Sequence, residues 1–122
     1  MTFHWADPRE NGCIPHLSEE RDGRELYIHY HGEVGDWGSY SVSISDWVEL
    51  ARRVGDKGSP PKGDSITCGK ACCKGGVDRV HVGNPGWTAI TMSRESLMEM
   101  AHAVLERFAG EGPSQRLPEV VE

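Results

Sequence analysis

The chain has 122 residues, of which 37% are hydrophobic, and a formal net charge of −6 at pH 7. This length predicts one domain with a modest core, and the negative charge disfavours a nucleic-acid binder, which needs a basic surface. No apolar run approaches the roughly 20 residues of a membrane helix, and residues 1–12 have neither the basic start nor the apolar core that a signal peptide is expected to have. We therefore expect a cytoplasmic protein without a membrane segment, whose four cysteines stay reduced unless they bind metal.

The first predicted element is an irregular arm over residues 1–23, which is polar and interrupted by prolines and glycines. Residues 24–55 predict a hairpin followed by a helix. Apolar and polar side chains alternate from 24 to 31 and again before Ser45, which is typical of half-buried strands. Ser45 stands where a helix N-cap belongs, and an apolar stripe at helical spacing then leads to Gly55, a natural helix end.

Residues 56–76 predict a linker that ends in a cysteine-rich loop, because prolines and glycines exclude a helix or a central strand there. Residues 77–110 predict a second hairpin and helix, with Ser93 as the N-cap. Residues 111–122 predict a flexible tail. These segments together form a single predicted domain, 1–122.

The second hairpin–helix unit resembles the first. Aligning Ser45 with Ser93 matches the strands and the caps, but the helix stripes match only if two residues are inserted in the second helix. Duplication and chance similarity both explain such a match. The expected fold class is α+β, in which two ββα (hairpin–helix) units share one antiparallel sheet and both helices pack on one face.

Four residues have the spacing of metal ligands. Cys13 with His16, and Cys68 with Cys72, form close pairs of the kind that hold zinc on loops, and zinc would stabilise a small core. Free thiols or a disulfide from Cys13 to the cysteine-rich loop explain the same residues without metal. A cysteine nucleophile would need a lowered pKa from a cation such as Lys70. The predicted cofactor is therefore either none or zinc, and no catalytic residue is predicted.

A second group of residues predicts a partner-binding surface. Tyr27, His29 and His31 share one side of the first predicted strand, and His81 lies at a comparable place in the second unit. Trp37 lies in the turn of the first hairpin. Such side chains commonly lie on a solvated sheet face, but an aromatic and histidine-rich face is also a plausible protein-binding patch.

The segments YSVSISDWVELARRV and VHVGNPGWTAITMSRESLMEMAHAVLERF resemble a pattern in small uncharacterised proteins of actinobacteria and their phages. In that pattern a hairpin leads into a capped helix that opens on an acidic residue. The first unit also resembles short actinobacterial domains of unknown function found beside helix-turn-helix regulators, through the pair Asp46-Trp47. The resemblance implies a small accessory or regulatory protein of actinobacterial or phage origin, and no catalytic residues.

These observations favour a non-enzymatic protein that binds another protein through an exposed sheet face or turn. The alternative is a small structural-zinc protein with a regulatory role in transcription. Nucleic acid and membrane are not expected partners, and an open sheet edge would permit a homodimer.

Overall fold

The computed structural model describes residues 3–10, 12–20, 23–32 and 35–109, without the side chains of 35–40 and 87–89. It confirms the α+β class. The first half consists of β1 (His4–Ala6), β2 (Ile14–Glu19), β3 (Glu25–Gly32), β4 (Gly35–Ser43) and α1 (Ile44–Lys57). The second half consists of β5 (Ser65–Cys68), β6 (Ala71–Gly75), β7 (Arg79–Asn84), β8 (Trp87–Ser93) and α2 (Arg94–Phe108). Neither helix is long and apolar enough to cross a bilayer.

The strands form two sheets, where one shared sheet was expected. Each sheet has four antiparallel strands in chain order, β1 to β4 and β5 to β8. The two predicted hairpins do not pair with each other. Each pairs instead with the strand that precedes it in the chain, β2 with β3 and β6 with β7. A side chain and not a strand ladder connects the sheets here: the hydroxyl of Tyr30 on β3 accepts a hydrogen bond from the backbone N–H of Thr91 on β8 at 2.7 Å.

The N-terminal segment 1–23, which we expected to be irregular, contains β1 and β2. Trp5 of β1 pairs with Leu17 of β2, and both side chains are buried in the core. Pro15 is tolerated in β2 because β1 ends at Ala6, opposite His16. On that side the carbonyl of Pro15 accepts a hydrogen bond from the backbone N–H of Asp7 at 2.9 Å, just beyond the end of β1. The missing N–H of the proline therefore interrupts no strand ladder.

The cysteine-rich segment is also a hairpin, where a loop was expected. Cys68 pairs with Ala71 across a two-residue turn of Gly69 and Lys70. Gly69 has φ +61°, the left-handed conformation that the first position of such a tight turn requires and that glycine adopts without steric cost. This hairpin supplies the first two strands of the second sheet.

The bounds of α1 differ from the predicted ones at both ends. The N-cap is Ser43, whose hydroxyl accepts from the backbone N–H of Asp46 at 3.3 Å, so Ser45 lies inside the first turn. Gly55 lies within the helix, which continues to Lys57 and ends at Gly58 with φ +85°. The predicted cap at Ser93 is confirmed, since its hydroxyl accepts from the N–H of Ser96.

The corrected cap brings the two helices into register without a gap. Ser43 corresponds to Ser93, and the helix positions that follow also correspond at a separation of fifty residues. The preceding hairpins carry an irregularity at the same place, between Ile28 and Tyr30 in one and between Val82 and Asn84 in the other. The structural repeat is therefore ββββα, two strands longer than the predicted unit.

One apolar core joins the two halves. The helices pack against each other, and α1 also contacts β5 and β6 of the other half. The side chains that face one another between the helices are Trp47, Leu50, Ala51 and Val54 from α1, with Leu97, Met100, Ala101 and Val104 from α2. At the end of α2 the ring of Phe108 packs edge-on against Phe3, with ring centroids 5.3 Å apart. Residues of both sheets and both helices belong to this core.

Candidate functional site

The first sheet has one apolar side and one polar side. Leu17, Leu26 and Ile28 point into the core and are fully buried. Because side chains alternate along a strand, the residues between them point away from the helices. We define the histidine face as the ring-bearing residues of β1, β2 and β3 on that side, namely His4, His16, Tyr27, His29 and His31.

The rings of the histidine face are in mutual contact. His16 lies at the centre, with ring centroids 4.9 Å from His4, 5.4 Å from His29 and 5.4 Å from His31. The ring of Tyr27 lies 4.8 Å from that of His29. Four imidazoles and one phenol thus form a continuous surface across three paired strands.

One hydrogen bond fixes the centre of this surface. Nε2 of His4 lies 2.7 Å from Nδ1 of His16. Such a bond needs one ring nitrogen to donate a proton and the other to accept it. His4 and His31 are exposed, His16 is half-buried and His29 is 7% exposed, so solvent reaches the cluster through its outer members.

The predicted partner-binding residues are only partly brought together. Tyr27, His29 and His31 lie on the histidine face. His81 is on β7 of the second sheet, where it pairs with Lys74 and Thr91. The side chain of Trp37 lies outside the described residues, although its backbone pairs with Tyr30.

Sequence reasoning missed His4 as a site residue and assigned His16 to a different site. The signal was present, since each histidine directly adjoins a buried residue of its strand: His4 precedes Trp5, and His16 precedes Leu17. This alternation was hidden because β1 is only three residues long and Pro15 interrupts β2. Only strand pairing places both histidines beside β3.

The predicted zinc ligands do not form one site. Cys13 is exposed in the connection between β1 and β2, and His16 lies on the first sheet. Cys68 and Cys72 are buried on the second sheet. Within the described ranges, no three histidine, cysteine or acidic side chains are grouped to hold a metal ion. These residues therefore do not fit a structural zinc.

The chemistry of the buried thiols agrees with that geometry. Burial raises the pKa of Cys73 to about 12 and also raises the pKa of Cys68. Both groups therefore stay protonated near neutral pH, whereas metal binding and nucleophilic attack require the thiolate. These two cysteines act as small apolar core residues.

A separate cleft of about 300 Å³ lies between the end of α1 and the linker that leads to β5. Arg53 and Lys57 line one side, and Pro60, Pro61 and Asp64 are among the residues on the other. No cysteine or histidine is among its described lining residues. The cleft therefore has charged groups that could contact a ligand but no nucleophile with a neighbouring imidazole base.

In comparisons with known proteins, no family model and no curated protein matches this sequence.

Proposed function

We propose that this protein is a non-enzymatic accessory protein that binds another protein through its histidine face. The observation that carries the proposal is the cluster itself, in which four imidazoles and a phenol are held in ring contact on paired strands. The core behind these strands fixes their spacing before any partner binds, and a preformed surface has a lower entropic cost of association.

The rest of the described surface offers less to a protein partner. The large apolar side chains exposed there are Val77 and Met98, which belong to different elements, a turn and a helix. Single exposed apolar residues are ordinary on a protein surface. Tyrosine, by contrast, is enriched in the centres of protein interfaces, and Tyr27 lies on the histidine face in ring contact with His29.

Two further observations support the proposed role. The resemblance to small actinobacterial and phage proteins implies an accessory or regulatory protein. All four cysteines are free thiols, as expected for a protein that works in a reducing compartment such as the cytoplasm.

The test is a quantitative pull-down from the native host with three tagged proteins. The first is the wild type, the second carries Tyr27→Ala with His31→Ala, and the third is a matched control with Met98→Ala and His102→Ala on the exposed side of α2. We expect one partner that the wild type and the control retain and that the face variant loses by at least about tenfold, since interface aromatic residues commonly contribute more than 1.4 kcal/mol.

Urea unfolding of the three proteins shows whether each variant remains folded. A partner that the folded face variant retains at wild-type level would overturn the proposed site.

A further inference from the structure

We propose that this protein forms a twofold symmetric dimer, in which the outer edge of β5 pairs antiparallel with β5 of a second copy. This edge belongs to the second sheet, whereas the histidine face belongs to the first. The inference is therefore independent of the proposed function. The backbone groups of β5, the residues of that strand and the charges of α1 support it.

The outer side of β5 carries backbone groups that can pair with another strand. Among the described strands, β5 pairs with β6 alone. The two-residue turn between them makes Cys68 and Ala71 a hydrogen-bonded pair. Because bonded and non-bonded pairs alternate along an antiparallel ladder, the N–H and C=O groups of Ser65 and Thr67 point away from β6. Asp64 agrees with this alternation, since its carbonyl accepts a backbone N–H of β6 at 2.8 Å.

The residues of β5 do not protect this edge from pairing. Protected edge strands commonly carry a charged residue, a proline or a bulge. The sequence of β5 is Ser-Ile-Thr-Cys, and it pairs with β6 without a register shift. By contrast, β4 and β8, the last strands of their sheets, each have an irregularity in their pairing. Ser65 and Thr67 are exposed, so a second strand can approach them.

Charge selects the register of the pairing. Outward backbone groups must face one another, which allows a twofold axis at residue 65, 66 or 67. Asp64 and Lys70 lie three residues on either side of Thr67, so an axis at Thr67 places each opposite its counterpart in the other copy, as unlike charges favour. An axis at residue 66 would place Lys62 opposite Lys70, which is unfavourable, and an axis at residue 65 would leave Asp64 opposite an apolar residue. The dimer is therefore centred on Thr67.

The same axis places the two α1 helices antiparallel on one face of the joined sheet. α1 packs against β5. At its start, Asp46 accepts from the backbone N–H of Lys70 in the turn that follows β5, at 3.0 Å. At its end, Arg53 and Lys57 line the cleft beside β5. The antiparallel arrangement therefore brings Asp46 of each copy towards the basic end of α1 in the other.

The charges of α1 are divided between its two ends. Its first half carries Asp46 and Glu49, and its second half carries Arg52, Arg53 and Lys57 with one carboxylate, Asp56. Glu49 already forms ion pairs with Arg52 and Arg53 of its own helix. Antiparallel helices set the negative half of one against the positive half of the other, and their dipoles also oppose. The surface is thus self-complementary, as a twofold interface requires.

The test is analytical ultracentrifugation of the full chain from about 1 µM to about 1 mM. EDTA removes metal ions, and a reducing agent keeps the exposed thiol of Cys13 from linking two copies. We expect a species of twice the chain mass, whose fraction increases with protein concentration. A wild type that stays monomeric over the whole range would overturn the inference.

Thr67→Lys tests the centre of the interface. It places two lysines opposite each other at the twofold axis, and in the monomer it changes an exposed side chain. We expect the dissociation constant of the dimer to rise at least about tenfold. Met98→Lys, which adds the same charge at an exposed position of α2, is the control and should keep the wild-type value. Equal values for Thr67→Lys and the wild type would overturn the inference.

A charge swap tests the register. Asp64→Lys places a lysine opposite Lys70 twice in the dimer, and it should raise the dissociation constant at least about tenfold. Adding Lys70→Asp reverses the second charge and should restore the wild-type value. Far-UV circular dichroism shows whether each variant remains folded. A folded double variant that dimerises as weakly as Asp64→Lys alone would overturn the pairing at Thr67.

Discussion

Cys73 illustrates how a single residue type changes its chemical role with burial. The sequence places it in a cluster of cysteines that resembles a metal or redox loop, whereas the structure places it fully buried between β5 and β7. Burial disfavours the thiolate because a charge is costly in an apolar environment. The residue therefore affects the dependence of stability on pH and does not provide reactivity.

We predict that the free energy of unfolding falls as the pH rises above about 9. The unfolded thiol of Cys73 then releases its proton, while the folded thiol, with a pKa of about 12, retains it. The unfolded state binds fewer protons, so stability decreases by up to about 1.4 kcal/mol per pH unit for this group. Urea unfolding between pH 8 and 10.5 measures the slope.

The variant Cys73→Ala should show a shallower decrease over the same range. Cys13→Ala, which changes an exposed thiol, is the control and should keep the wild-type slope. Equal slopes for the wild type and Cys73→Ala would contradict the prediction.

At the scale of the element, the helices were the most predictable part of the chain. Their apolar stripes at helical spacing gave both their existence and their buried sides, and Trp47, Leu97 and Val104 are buried as the pattern indicates. The ends were harder to predict. Ser43 and Ser45 are both suitable N-cap residues. The N-cap is Ser43 because β4 ends there.

The C-terminal end of α1 leads to a second prediction. Gly55 is exposed within the helix, and an added Cβ would lie 3.7 Å from Leu105, an ordinary contact. Gly55→Ala should therefore stabilise the protein by about 0.5–1 kcal/mol, because alanine loses less backbone entropy in a helix. Chemical denaturation measures the change in the free energy of unfolding.

Gly58→Ala is the matched comparison, since it places the same methyl group three residues later in open space but at φ +85°. It should destabilise the protein by about 1–3 kcal/mol, because a positive φ combined with ψ 178° is a backbone conformation that essentially only glycine adopts. Stabilisation by both substitutions, or by neither, would show that α1 does not end at Gly58.

The strands show where sequence patterns were insufficient. The alternation in β3 and β7 was recognisable, but β1 has three residues and β5 has four, too few for a period of two to be distinguished from chance. Only their pairing with neighbouring strands identifies β1 and β5 as strands, and this pairing is not visible in the residues of either segment alone. The histidine face was missed in part for the same reason, since two of its rings lie on β1 and β2.

At the scale of the whole molecule, the first turn of each helix is hydrogen-bonded to the other half of the chain. The carboxylate of Asp46 on α1 accepts from the backbone N–H of Lys70 in the turn between β5 and β6, at 3.0 Å. In the reverse direction, Asp7 after β1 accepts from the hydroxyl of Ser96 on α2, at 2.7 Å. Asp46 and Ser96 occupy equivalent positions of the repeat, so the two contacts are reciprocal.

Gly69→Ala tests this coupling between the halves. A Cβ on Gly69 would collide with the carboxylate of Asp46, so either the Asp46 side chain or the turn between β5 and β6 would have to move, and the contact between them would be lost. We expect a loss of about 2–3 kcal/mol in the free energy of unfolding, from the positive φ and the collision together.

Gly63→Ala is the control for the cost of a positive φ alone, since Gly63 has φ +88° and a Cβ there would meet nothing within 4 Å. It should cost only about 1 kcal/mol. Both losses are measured by urea unfolding, and equal losses would contradict the proposed contact with Asp46.

The sequence by itself determined the α+β class, the two helices with their buried stripes, and the similarity of the two halves, because these features depend on periodicities within one segment. The tertiary structure decided that there are two sheets and that Cys68 and Cys72, which have the spacing of metal ligands, lie on a different sheet from His16. It also decided that four histidines from three strands meet on one side of the first sheet. These outcomes depend on the pairing of short strands, whose partners are set by the shared core and not by the local pattern of residues.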